Sequence, residues 1–89
     1  IEIALSYEPN NHYILDSMGW IHFKLGNLEI ASKFIKKAYL INKDPEIASH
    51  LGEILWTQGK KDEAREVWKS SLNRHPSNPV LLETTNRFK

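Results

Sequence analysis

Eighty-nine residues, 40% hydrophobic and 26% charged, make one small domain at most, with a composition that excludes disorder and collagen. Twelve Lys and Arg against eleven Asp and Glu leave a net charge of +1, without the pull of a dedicated nucleic-acid binder. Zero cysteines exclude disulfide frameworks, thiolate zinc sites and cysteine nucleophiles, and no apolar run of about 18 residues is present to cross a bilayer.

In chain order, Ile1, Ala4 and Leu5 have i, i+3, i+4 spacing, so residues 1–8 read as the end of a helix. A second helix is expected over about residues 11–25, where Leu15, Met18, Ile21, His22 and Leu25 share one face and Gly26 ends the run. A third, about 28–42, carries the stripe Ile30, Ala31, Phe34, Ile35, Ala38 and Tyr39. Asp44 before Pro45 opens a fourth at about 45–58, and a fifth follows at about 61–74. Asn78 before Pro79 opens the last, about 79–88, with Leu82 and Phe88 on its inward stripe.

These helices repeat. Gly19 and Gly26 recur 33 residues on as Gly52 and Gly59, and the same offset carries Met18 to Leu51, Ile21 to Ile54, Phe23 to Trp56, Ala31 to Ala64, Ile35 to Trp68 and Ala38 to Ser71. An offset of 34 extends the pattern to both ends, from Ile1 to Ile35, Ala4 to Ala38 and Ile54 to Phe88. Ala31, Ala64, Ala38 and Ser71 stand where two antiparallel helices approach closely and a larger side chain would overpack. Gly19 and Gly52 lie inside helices, at about 1 kcal/mol each against alanine, which implies a close backbone crossing in return.

The patterns Leu15-x-x-Met18-Gly19, Gly26, Ala31 and Ala38, then Leu51-Gly52, Gly59, Ala64 and Pro76, resemble tetratricopeptide repeats over essentially the whole chain. The departures are local: Lys43 where the family usually has proline, His22 where it usually has Tyr, and Asn86 in place of a third helix glycine. The resemblance implies an all-α fold of antiparallel helix-turn-helix repeats forming a short right-handed solenoid. Its parts would be 1–11 as the end of an upstream repeat, 12–44 and 45–78 as full repeats, and 79–89 as a terminal capping helix. The stretches Leu15–Trp20 and His50–Trp56 are further similar to the C-terminal repeats of proteobacterial envelope lipoproteins of this family. That would place the parent protein on a lipid anchor facing the periplasm; otherwise the expected compartment is the cytoplasm.

The family lines the concave side of its solenoid with the first helix of each pair. Here that implies a concave lining of Tyr13, Asp16, Trp20, Phe23 and Lys24, then Glu46, Ser49, Glu53, Trp56 and Thr57, then Val80, Glu83 and Arg87, with Tyr13, Asp16, Trp20, Phe23, Lys24, Glu46, Ser49, Glu53, Trp56 and Glu83 as the partner-binding residues. The spacing of Tyr13, Asp16, Trp20 and Phe23 independently forms a second helical stripe, and large aromatics supply most interface hot spots. The plainer alternative is that Trp20 and Trp56 fill space against neighbouring helices. Residues 44–58 carry Asp44, Glu46 and Glu53 with no Lys or Arg, so the groove reads as mildly acidic. The basic outer helices, with Lys33, Lys36, Lys37, Lys60, Lys61 and Lys69, read as a solvated face. The basic clamp by which some family members hold an acidic C-terminal peptide is missing.

His12, His22, His50 and His75 form no i, i+4 pair, and no nucleophile, phosphate-loop or dinucleotide motif occurs, so neither catalysis nor a metal or cofactor is expected. The expected function is a non-catalytic protein-interaction module, scaffold or adaptor, that takes a peptide or helix in an aromatic groove. The alternatives are spacer repeats within a longer solenoid and a repeat segment fused to an enzyme. Expected partners are proteins or peptides, without nucleic acid and without membrane insertion. The apolar residues 1–8 further lead to an expectation of self-association through the N-terminal end, or of a melting point below that of a chain extended upstream by one repeat.

Overall fold

The computed structural model describes residues 11–88; the expected helix end at 1–8 lies outside the described residues. Within them are five α-helices and no strand: α1 (His12–Lys24), α2 (Leu28–Ile41), α3 (Pro45–Thr57), α4 (Lys61–Arg74) and α5 (Pro79–Arg87). Local chemistry sets their ends. The Asp44 carboxylate accepts from the Glu46 N–H at 2.8 Å, and the Asn78 amide oxygen accepts from Val80 and Leu81 at 3.0 and 3.1 Å, each beside a proline at the first helical position. Asn11 caps α1 in the same way, through Tyr13 and Ile14, without a proline to mark it.

α1 and α3 stop alike. Gly26 and Gly59 both take φ +86°, a left-handed conformation that side chains resist. The following N–H then folds back, Asn27 onto the His22 carbonyl and Lys60 onto the Leu55 carbonyl, each at 2.8 Å. Each turn sends the chain back along the helix it has just left, giving the hairpins α1–α2 and α3–α4.

The buried core runs through both hairpins: Leu15, Ala31, Ile35 and Ala38 in the first, Ile47, Leu51, Ile54, Leu55, Ala64 and Trp68 in the second, with Leu81 from α5. The four small residues expected at the helix contacts are all buried, Ala31, Ala38 and Ala64 at 0% and Ser71 at 2% exposure. The helix-interior glycines have a different cause from the backbone crossing expected of both. A Cβ on Gly52 would run into the Trp68 indole, whose Cδ1 lies 2.7 Å from that point, and one on Gly19 into the Ile35 side chain. Each glycine is a hole for the largest buried side chain of the facing helix, and only at Gly19 does backbone also come close, the Ala31 carbonyl oxygen at 3.1 Å.

Four residues assigned to inward stripes face out: Ile21 (43% exposed), Leu25 (69%), Ile30 (43%) and Leu82 (47%). Leu25 sits beyond the last turn of α1, where the chain is already reversing. On α5 the inward residues are Leu81, Thr84 and the half-buried Phe88, one step round from Leu82, because α5 packs on α3 and α4 and no hairpin partner follows it among the described residues.

The helices form two layers. α1 touches α3 and α3 touches α5, whereas α2 and α4 make no contact with each other. A layer whose members touch, backed by one whose members do not, curves toward the touching side. The α1–α3–α5 face is therefore the concave one.

Candidate interaction surface

Polar ties cross this concave layer one repeat apart. The His50 Nδ1–H donates to the Asp16 carboxylate at 2.8 Å, joining α3 to α1, and the Arg87 guanidinium donates to Glu53 at 3.3 Å, joining α5 to α3. Between them the Ser49 and Thr84 hydroxyls share a buried hydrogen bond of 2.6 Å. Arg87 was expected on the lining, whereas His50 and Thr84 were not among the expected residues. The signal was present as a carboxylate and a nitrogen donor 34 positions apart, Asp16 with His50 and Glu53 with Arg87.

These ties change the reading of the groove. Glu53 was expected, with Asp44 and Glu46, to make it acidic, but the Glu53 and Asp16 carboxylates are already paired with cationic or hydrogen-bonding groups of the neighbouring helix in the layer and have side chains only 14% and 16% exposed. Ser49, expected on the surface, is 3% exposed, and its hydroxyl is used within the fold. Glu46 and Glu83 remain exposed, at the start of α3 and in α5.

The aromatic residues fall into two groups. On α1, Trp20 stacks on the His50 ring at 4.0 Å and 22°, leans on Phe23 at 4.9 Å, and carries the Lys24 ammonium 5.0 Å from its centroid. Tyr13, at the other end of the same helix, is 66% exposed. Trp56 stands apart, packed with Trp68 (5.9 Å) and Phe88 (5.7 Å) at the junction of α3, α4 and α5, with Lys61 and Arg65 over its ring at 5.0 and 5.2 Å. Trp20, Phe23 and Trp56 are each half-buried, and they divide into a Trp20–Phe23 pair and a separate cluster of Trp56, Trp68 and Phe88. At Trp56 the space-filling alternative describes the contacts.

Among the described residues no three His, Asp or Glu side chains gather as metal ligands, and no helix is long and apolar enough to cross a membrane. His22 stacks on Phe34 at 5.8 Å between α1 and α2.

Stacked antiparallel helix pairs, with aromatic and ion-paired side chains on the concave layer, define an all-α helical-repeat protein. The repeats are of tetratricopeptide type: residues 12–45 match the family model for the tetratricopeptide repeat. Relatives so named support the same family. The chain is 42% identical over 50 residues to a TPR repeat-containing protein of Pseudomonas aeruginosa, covering 56% of this chain and 8% of the relative. It is 35% identical over 71 residues to another of Methanocaldococcus jannaschii, covering 80% of this chain and 12% of the relative. Over 66 residues it is 35% identical to Protein SULFUR DEFICIENCY-INDUCED 2 of Arabidopsis thaliana, 74% of this chain and 22% of the relative. The chain thus spans less than a quarter of the length of these relatives. Tetratricopeptide repeats generally mediate protein–protein interaction and are generally non-enzymatic.

Proposed function

We propose that the chain is a non-catalytic interaction module that holds a peptide or helix of a partner protein along the α1–α3–α5 face, with Trp20 as its main anchor. The observation that carries this is the setting of Trp20. Its ring rests on a histidine held from below by Asp16 and is flanked by Phe23 and Lys24, so a large, half-open aromatic surface is fixed in orientation before any partner arrives. Phe23, Trp56 and Phe88, by contrast, pack against the buried core. Because Asp16 and Glu53 are paired internally, the charge offered to a partner comes from Lys24 at one end and Glu46 and Glu83 at the other. The fitting segment is apolar at its centre, with an acidic group near Lys24.

The test is selection of binding peptides on the 89-residue chain from a displayed random library, followed by titration against Trp20→Ala. A weakening of about tenfold or more, with the urea midpoint shifted little, supports the groove. Enriched peptides that bind both chains equally defeat the Trp20 reading, and a library that yields no specific binder favours the spacer alternative.

A further inference from the structure

On the side away from the concave face, the gap in the outer layer forms a cleft. α2 and α4 do not touch, and there Glu29, Ser32, Lys33 and Lys36 of α2 meet Gln58 and Lys60 of the α3–α4 turn around a recess of about 170 Å³. Both walls lie within the repeats, so the recess comes from the stacking of two successive hairpins. Its walls carry polar groups that the fold does not use. Ser32 is 6% exposed, and its hydroxyl has no hydrogen-bond partner among the described residues. The Gln58 amide oxygen is buried without a partner, while its amide nitrogen donates to the Leu28 carbonyl at 3.5 Å. A bond of that length holds the amide weakly, so a half-turn that points its N–H groups into the cleft costs little.

Charge says what fits it. Lys33, Lys36 and Lys60 take part in no ion pair among the described residues, and Glu29 is the one carboxylate in the lining. The Lys60 backbone is held in place by its N–H bond to the Leu55 carbonyl at 2.8 Å, which sets one cation opposite the two on α2. Three ammonium groups, with a buried hydroxyl and an amide as neutral donors, complement a compact, multiply charged oxyanion. None of the lining residues is apolar, so the cleft offers no grip to a lipid tail or an apolar side chain. The set does not recur in the next hairpin, where Arg65 and Glu66 stand 33 residues beyond Ser32 and Lys33. We propose that this cleft binds the phosphate group of a small soluble anion, which bridges α2 to the start of α4 and ties the two hairpins where the outer layer is open.

The test titrates the 89-residue chain with sodium pyrophosphate at constant ionic strength, followed by calorimetry and by amide chemical shifts. Saturable binding is expected, with shifts centred on residues 29–36 and 58–61 and a melting point that rises with pyrophosphate concentration. Lys60→Glu should weaken binding about tenfold or more and Ser32→Ala about threefold, whereas Glu29→Gln should tighten it. Lys37→Glu makes the same change of charge on α2 outside the cleft and should alter affinity by less than about twofold. The substituted Lys and Glu residues are exposed, and melts without ligand confirm that all variants fold. The proposal is overturned by absence of saturable binding, by a Ser32→Ala chain that binds as tightly as the native one, or by equal losses with Lys37→Glu and Lys60→Glu, which would mean diffuse attraction to a basic face. Binding to phosphatidylcholine vesicles containing phosphatidate, with none to pyrophosphate, would also overturn it, by giving the lysines to a lipid surface.

Discussion

Gly19 and Gly52 occupy the same place in successive repeats, yet alanine at the two sites should behave differently. At Gly52 the new methyl group meets a rigid, fully packed indole whose Nε1–H also donates to the Ser49 carbonyl at 3.4 Å. Gly52→Ala is expected to lower stability by about 1 to 3 kcal/mol despite the better helix propensity of alanine. At Gly19 the obstacle is the Ile35 side chain, met first at Cγ1 and then at Cδ1 (2.7 Å), with the Ala31 carbonyl oxygen at 3.1 Å; a slender aliphatic chain can shift where an indole ring cannot, so Gly19→Ala should be destabilising but by less than Gly52→Ala. Urea denaturation of both variants measures this, and equal losses would show that the ring is not what Gly52 accommodates. Ala31→Leu and Ala64→Leu, at 0% exposure on the facing helices, should each cost about 1 to 3 kcal/mol by the same assay. The spacing of glycines and alanines was legible in the sequence because it recurs. What fills each glycine was not, since Ile35 and Trp68 lie 16 residues away from Gly19 and Gly52 and their direction depends on how the hairpin closes.

Helix ends were legible for a related reason: a cap or a left-handed glycine acts within a few residues of the end it sets. The expected and observed bounds therefore agree within a residue or so, from His12–Lys24 to Pro79–Arg87. Asp44→Ala and Asn78→Ala are each expected to lower stability by about 1 kcal/mol, and Asn11→Ala by a similar amount, as read from thermal melts. Helix faces were less legible, because a 3.6-residue period fixes which residues align but not which helices will flank them. Ile21, Ile30 and Leu82 fit an apolar stripe yet point outward, and Trp56 was assigned to a groove although α5 and α4 close around it. The Asp16–His50 tie links α1 to α3 with part-exposed groups, so a double-mutant cycle of Asp16→Asn and His50→Gln should return a coupling of about 1 kcal/mol or less. A much larger value would mean that the pair organises the layer and does more than decorate it.

At the level of the whole molecule, α3 is in contact with all four other helices, and seven of its residues are buried. Its amides should therefore exchange most slowly, with those of α1 and α5 exchanging through separate, cheaper openings. Native-state hydrogen exchange that found α1 as well protected as α3 would contradict this. The lack of contact between α2 and α4 has a mechanical side as well. Because only one of the two layers is continuous, opening or closing the angle between hairpins leaves the outer layer's own packing untouched, and the resistance comes from the α1–α3–α5 seam and from α3 itself. The molecule is compliant in one direction and stiff in the others, like a leaf spring clamped along its inner edge. A ligand gripping that edge would set the pitch of any longer array built from such units, a small rotation at each joint adding up to a large displacement at its far end.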